Sequence, residues 1–287
     1  MINKICVAGA GTMGSGIALA AAQSSYGVVL FDSNEAVLEK AKASVLKNLS
    51  FLVDKQKIST AEKEQVFSKI LFTGNIADCT ADLVIEAIVE IMDAKVNLFK
   101  QLAALNNSNT IFASNTSSLS INTLQQQLPH PSRVAGMHFF NPANVMKLVE
   151  VVKAEQTDPA VTEALMEVCI KMNKVPVLCK DAPGFIVNRV ARHYYLESMR
   201  SVENGFAGFE TVDAIMEASG FKMGPFRLMD MIGMDINLAV SRSLYEAFDH
   251  EPRFEPSPLQ IEKVANGDLG KKTGKGFYNY TNENKQA

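Results

Sequence analysis

Short apolar runs alternate with stretches of helical spacing along the first 180 residues. The runs are Ile5–Ala8, Val28–Phe31, Ile70–Thr73, Leu83–Ala87, Ile111–Ser114, Val134–His138, Leu148–Val152 and Val175–Cys179. They are apolar without interruption, as strands covered on both faces must be, so they predict a largely parallel sheet with helices on either side. A helix is predicted from Met13 to Gln23. Another is predicted from the spacing of Val37, Leu38, Ala41, Val45, Leu49 and Leu52, with a second beginning near Ser59. This excursion, 35–69, is long for a single crossover, and a segment of that size usually holds part of a ligand. Asp158 followed by Pro159 reads as a cap and a first helical residue ahead of Val161–Met172.

Near Asp181-Ala-Pro183-Gly184 the strand signals stop. Helical spacing then dominates Phe185–Phe206, Phe209–Ser219 and Met229–Phe248, ahead of a glycine- and lysine-rich tail from Gly267 to Gly276. The expected organisation is a doubly wound α/β domain over 1–182 and an all-helical domain over 183–287.

At 287 residues, 47% hydrophobic and 21% charged, the chain can bury a core in each of two domains. A net charge of −3 gives no reason to expect nucleic acid or an anionic membrane as a partner. No apolar run has the length of a membrane span. The first strand begins close behind Met1, so a cytoplasmic protein is expected. Cys6, Cys79, Cys169 and Cys179 form no metal-ligand spacing, and neither zinc nor disulfides are expected.

The run Gly9-Ala-Gly11-Thr12-Met13-Gly14 sits between the first strand and the first helix, with Asp32 closing the second strand. Gly9 permits the tight turn, Gly11 leaves room for a pyrophosphate, and Gly14 lets the helix pack close to the strand. The pyrophosphate would sit on the helix's first amides. A carboxylate at Asp32 suits ribose hydroxyls and repels a 2′-phosphate, which favours NAD over NADP. Asp32 as a simple helix cap is the plainer alternative. With this fingerprint the first domain reads as Rossmann-like.

His138 ends a predicted strand, where ligands of open α/β sheets bind. Its imidazole can exchange a proton near neutral pH. If the next run folds back beside it, Glu150 can fix the ring's tautomer and stabilise its charged form. Spacing alone supports a core histidine and an outward glutamate equally well. The segment 113–118 offers hydroxyl and amide groups at a strand's end, yet also resembles a helix cap. Glu90 and Lys95 border the same crevice, and could be an ordinary exposed charge pair.

Several segments in this order resemble the short-chain L-3-hydroxyacyl-CoA dehydrogenase family, nearest to its bacterial 3-hydroxybutyryl-CoA members. They are Gly9–Gly14, Glu86-Ala-Ile-Val-Glu90, Phe112-Ala-Ser-Asn-Thr-Ser-Ser118, His138-Phe-Phe-Asn-Pro142, Met146–Val151, Lys180–Arg189, Gly224-Pro225 and Gly270–Tyr278. The resemblance implies NAD-dependent interconversion of (S)-3-hydroxyacyl-CoA and 3-oxoacyl-CoA, including 3-hydroxybutyryl-CoA and acetoacetyl-CoA, in fatty-acid or butanoate metabolism. It implies His138 as the base, Glu150 as its partner, and Ser117 and Asn188 on the reacting oxygen. Cofactor contacts are implied for the glycine turn, Asp32, Glu90, Lys95, Ser117, Asn141 and Lys272. Coenzyme A contacts fall on Lys55 and on Asn48, where some relatives carry serine. A homodimer through the helical domain is implied as well. Two alternatives stand beside this reading: a dehydrogenase of free hydroxy acids, and a non-catalytic relative of the lens-crystallin kind. The lysines between Lys40 and Lys57 weigh against the first, and intact His138 and Glu150 against the second.

Overall fold

A computed structural model describes residues 2–280; the outer ends of the two expected domains, residue 1 and 281–287, lie outside it. The fold separates into two compact units, divided between Ala182 and Pro183. The first unit runs β1 (Lys4–Ala8), α1 (Thr12–Gln23), β2 (Gly27–Phe31), α2 (Glu35–Asp54), α3 (Thr60–Ser68), β3 (Ile70–Thr73), β4 (Leu83–Glu86) and α4 (Met92–Leu105). It continues with β5 (Ile111–Ser114), α5 (Ile121–Gln125), β6 (Val134–Phe139), β7 (Leu148–Lys153), α6 (Pro159–Lys171) and β8 (Val175–Lys180). All eight strands join one sheet in the order β3-β2-β1-β4-β5-β6-β7-β8.

The chain reverses its winding between β1 and β4, the place where such sheets open a crevice at their carboxyl ends. From β3 to β6 the neighbours are parallel; β7 then runs antiparallel to β6. This is the Rossmann-like architecture expected from the sequence. The inner strands are buried along almost their whole length, which is why they read as unbroken apolar runs. Edge strand β8 differs: Val175, Val177 and Leu178 are exposed although the run looks like core.

Helix starts follow the side chains available. Asn34 caps α2 by accepting from Ala36 N, and Ser59 with Glu62 forms a capping box on α3. Asp158 caps α6 with Pro159 in the first turn. Leu38, Ala41, Val45 and Leu49 give α2 its buried stripe.

The second unit contains α7 (Val187–Glu203), α8 (Phe209–Ala218), α9 (Pro225–Ile232), α10 (Met234–Ala247) and α11 (Pro258–Ala265). The single helix expected over Met229–Phe248 is two, because Gly233 adopts φ 103 and interrupts the hydrogen-bond ladder between α9 and α10. Its core gathers Leu196, Met199, Phe226, Met229 and Met234. Buried Asp213 accepts from Phe226 N and Arg227 N, capping α9 from another helix. Asp230 accepts from Phe277 N and Tyr278 N, which ties down the lysine-rich tail. The four cysteines are buried free thiols. Among the described residues no helix is long and apolar enough to cross a membrane.

Candidate active site

The three glycines of the β1–α1 turn meet three different spatial demands. Gly9 takes φ +107, and a Cβ there would stand 2.6 Å from the Ala87 carbonyl oxygen. A Cβ on Gly14 would fall 1.7 Å from the Gly9 oxygen, so strand and helix touch backbone to backbone. Gly11 is the opposite case. A Cβ there would meet nothing within 4 Å, so a methyl group would enter the open space above the turn. The first turn of α1 carries no acidic residue and no side-chain cap, which leaves its amides for an anion. These features fit a bound pyrophosphate. The amides of Thr12 and Met13 lie in that turn, while the Met13 side chain packs on the core.

Asp32 is not the cap of α2, since Asn34 does that work. Its Oδ2 accepts from Ala10 N at 2.9 Å and its Oδ1 from Asn34 N at 2.9 Å. The carboxylate is therefore fastened to the glycine turn, beside the position the adenosine ribose takes in such folds.

His138 and Glu150 are cross-strand neighbours in the antiparallel β6–β7 ladder. Residues opposite each other in such a ladder point to the same face, and His138 Nδ1 lies 2.8 Å from Glu150 Oε2. Both side chains are nearly inaccessible, 7% and 1% exposed. A carboxylate accepts only, so the shared proton is assigned to Nδ1 and the acid–base position to Nε2. The ring also packs against Phe140 at 4.6 Å, and Asn115 Oδ1 accepts from Phe139 N, which pins the end of β6 to the loop after β5.

Glu90 and Lys95 are no loose surface pair. Lys95 is 1% exposed, and its ammonium contacts Glu86 at 2.6 Å and Glu90 at 3.1 Å. Glu90 Oε1 accepts from Thr116 Oγ1 at 2.5 Å, Ser117 N at 2.9 Å and Ser118 N at 3.1 Å, so the turn 116–118 wraps the carboxylate. Partial burial pushes the Glu90 carboxyl upward. The Lys95 charge and the hydrogen bonds from Thr116 and Ser117 outweigh it and hold the group below the usual carboxylate range. Ser117, expected at the reacting oxygen, is thus positioned by Glu90. The ammonium of Lys95, expected to touch the cofactor, is engaged by the carboxylates of Glu86 and Glu90. The segment 113–118 is not a helix cap either; Ser120 caps α5.

Sequence reasoning gave Glu86 no role. Fully buried at the end of β4, it accepts from Lys95, from Ile88 N at 2.7 Å and from Ser114 Oγ at 2.6 Å. A carboxylate closing an apolar strand, with a lysine on the following helix, was the available signal.

A cavity of about 360 Å³ joins Gly11 and Thr12 of the turn, Lys40, Ser44 and Asn48 of α2, and the loop from Asn141 to Asn144. Asn48 and Asn141 therefore share one space with the glycine turn. Asn48 donates to Ser44 O and accepts from Asn144 Nδ2 at 3.4 Å. Lys55 ends α2 outside that lining, with its ammonium 5.7 Å from the Phe51 ring. A larger cavity, about 580 Å³, opens at the amino ends of the strands around Tyr26, Asp82 and Lys171, and its lining includes neither His138 nor Glu150. In the helical unit Asn188 occupies the first turn of α7, and Lys272 pairs with Asp235.

The family model described as 3-hydroxyacyl-CoA dehydrogenase, NAD binding domain, matches residues 4–182, and that for the C-terminal domain matches 184–280. The chain belongs to the 3-hydroxyacyl-CoA dehydrogenase family. Its first unit is the family's NAD-binding domain, which bears out both the cofactor and the enzyme class read from the sequence. The chain is 43% identical over 284 residues to 3-hydroxyadipyl-CoA dehydrogenase of Escherichia coli, covering 98% of this chain but only 60% of that protein. It is 41% identical over 289 residues to the mitochondrial hydroxyacyl-coenzyme A dehydrogenase of Sus scrofa, covering 98% of this chain and 92% of that one. The solved structure of (S)-3-hydroxybutyryl-CoA dehydrogenase from Ralstonia eutropha matches with TM-score 0.94 at 38% identity, covering 98% of this chain and all of that one.

Proposed function

We propose that this protein interconverts (S)-3-hydroxyacyl-CoA and 3-oxoacyl-CoA thioesters with NAD, 3-hydroxybutyryl-CoA and acetoacetyl-CoA among them. The observation that carries the reading is the buried His138–Glu150 contact of 2.8 Å at the crevice end of the sheet. NAD held by the glycine turn, Asp32 and Asn141 supplies the hydride acceptor in oxidation and the donor in reduction. His138 takes the proton of the 3-hydroxyl at Nε2 during oxidation and returns it during reduction. Glu150 stabilises the imidazolium at Nδ1. Ser117, held by Glu90, and Asn188 hydrogen-bond the reacting oxygen, while Asn48 and Lys55 meet coenzyme A and Lys272 the cofactor.

The names of the relatives support a CoA thioester as substrate, and the family resemblance adds a place in fatty-acid or butanoate metabolism. The family resemblance also supports a homodimer formed by the helical unit, where Val190, Phe206 and Ile215 are exposed, and the bacterial relative is consistent with a cytoplasmic location. Following NADH consumption with acetoacetyl-CoA, its pantetheine thioester and free acetoacetate tests the reading. The expected order is full thioester, then truncated thioester, then a nearly inert free acid, because remote binding energy orients the substrate. Brisk turnover of the free acid overturns it. Lys55→Ala should weaken the full substrate much more than the pantetheine form; equal losses would make Lys55 a solvated helix charge.

A further inference from the structure

Three charges meet at the carboxyl end of β4, and they do not balance. Lys95 contacts both Glu86 and Glu90, and among the described residues no second cation pairs with either carboxylate. The partners of the Glu86 side chain are donors: Lys95, Ile88 N and Ser114 Oγ, whose own oxygen accepts from Thr116 N. Glu90 Oε1 accepts from Thr116 Oγ1, Ser117 N, Ser118 N and Ser118 Oγ. Both groups are bonded as ionised carboxylates, so the cluster holds two negative charges against one positive. A lysine buried for stability alone would need one carboxylate.

The place of this cluster in the sheet matters. A dinucleotide crosses the crevice from one side of the switch point to the other. Asp32 follows β2 on one side, the glycine turn follows β1, and β4 and β5 lie on the other side. With the adenosine end beside Asp32, the nicotinamide end belongs over the carboxyl ends of β4 and β5, where Glu86, Glu90 and the turn 116–118 stand. The segment after β4 adjoins the glycine turn directly, since Ala87 N donates to Ala8 O at 2.7 Å. It also adjoins the strand of His138 through Asn115, which donates from its N to Glu86 O and accepts from Phe139 N. Glu86 and Lys95 are sealed from water, while the Glu90 side chain keeps 36% of its surface open. Charges so placed are weakly screened.

We propose that the net negative charge of the Glu86–Lys95–Glu90 cluster discriminates between the two redox forms of the cofactor, raising the affinity of this protein for NAD⁺ relative to NADH. The two forms share the adenosine, the pyrophosphate and both riboses, and differ by one positive charge on the nicotinamide ring. Contacts common to both cancel in the ratio of their affinities, and so do charges that a set of variants leaves in place, Glu150 among them. The inference rests on the cofactor site of the first unit and is independent of the acyl thioester.

The test measures NAD⁺ and NADH binding by calorimetry, without substrate, at neutral pH and one ionic strength. Glu90→Gln and Glu86→Gln each make the cluster neutral. Either should lower the ratio of NAD⁺ affinity to NADH affinity by roughly 5- to 50-fold, the scale of one unit charge felt across about 7 to 10 Å of protein. Glu86→Gln combined with Lys95→Met breaks the ion pair yet leaves the single charge of Glu90, so its ratio should return close to that of the wild type. A purely structural role predicts the reverse: both forms bind more weakly together, and the double variant does no better than the single ones. Melting curves show whether each variant folds; where those altered at the buried Glu86 do not, Glu90→Gln, whose side chain reaches the surface, decides alone. An unmoved ratio in folded Glu90→Gln, or a ratio that stays low in the folded double variant, overturns the inference. Absence of turnover with every thioester would count against the proposed function instead, and the binding ratios would still decide the role of the cluster.

Discussion

Glu86 and Lys95 meet at 2.6 Å with side chains 0% and 2% exposed, and the same carboxylate accepts from Ser114 at the end of the neighbouring strand. The pair ties β4, α4 and β5 together below the turn that carries Ser117. Removing Lys95 leaves Glu86 charged and buried without its cation, and removing Glu86 leaves the buried Lys95 with Glu90 alone. Glu86→Gln and Lys95→Met should therefore each cost about 3 to 5 kcal/mol of stability, while the double variant costs clearly less than their sum. Urea denaturation of the two single variants and the double variant checks this, and simple additivity would mean that the two groups do not interact.

His138→Gln should lower turnover roughly 10²- to 10⁴-fold with NADH affinity near wild type. Stopped-flow turnover together with NADH fluorescence titration separates the two effects; more than a third of wild-type turnover would remove His138 from the chemistry. Glu150→Gln deletes the charge that favours the imidazolium, so the pH profile of the reductive reaction should move toward acid. An unmoved profile would mean that the contact has no part in proton transfer.

Asp32→Ser combined with Ser33→Arg should weaken NADH use and improve NADPH use, since a guanidinium replaces the group that repels a 2′-phosphate. Asp32 also accepts from Ala10 N, so some loss of NADH affinity will come from the loosened turn itself. Steady-state kinetics with both cofactors measures the preference, and an unchanged ratio would leave Asp32 with that turn-holding role alone.

Gly11→Ala and Gly14→Ala should fail in different ways. The first places its methyl group in open space, so the protein should melt near the wild-type temperature and bind NADH poorly. The second drives a Cβ into the Gly9 carbonyl and should destabilise the fold itself. Calorimetric melting with and without NADH distinguishes them. A normally stable Gly14→Ala protein would mean that α1 can back away from β1 at little cost.

Glu90 is expected to shape the acid limb of stability. Its pKa is lowered in the folded protein, so its contribution is present above the ordinary carboxylate value of about 4.3 and is lost as pH falls through the depressed folded value. The gap in melting temperature between wild type and Glu90→Gln should be full at pH 7 and shrink below about pH 4. A gap constant down to pH 3 would show that the turn 116–118 does not depend on the charge.

The eight strands and the glycine turn were legible in the sequence because one local pattern determines each: an apolar run in the first case, a close backbone approach in the second. His138 and Glu150 were legible only as a conditional pair, since their meeting depends on β7 reversing direction. Ser117 and Lys95 were visible as residues, but their roles depend on Glu86 and Glu90, and nothing in the spacing tells a buried ion pair from an exposed one. The break at Gly233 lies inside continuous helical periodicity, where one positive φ outweighs the pattern on either side. Arg192 looked like any helix arginine until burial set it among Asn237, Ser241 and Gln260.

The antiparallel register of β6 and β7 has a consequence for how this protein can vary. Side chains alternate faces along a strand, so slipping β7 by one position against β6 would turn Glu150 away from His138 and bring Val149 or Val151 into its place. What must be kept is the register at which β7 returns beside β6, whatever path the connection from Phe140 to Lys147 takes. Substitutions on that connection can be absorbed singly. An added residue would have to be held in the loop or in a bulge before Leu148, and a deleted one by a tighter loop, or the two partners would be separated with neither of them altered.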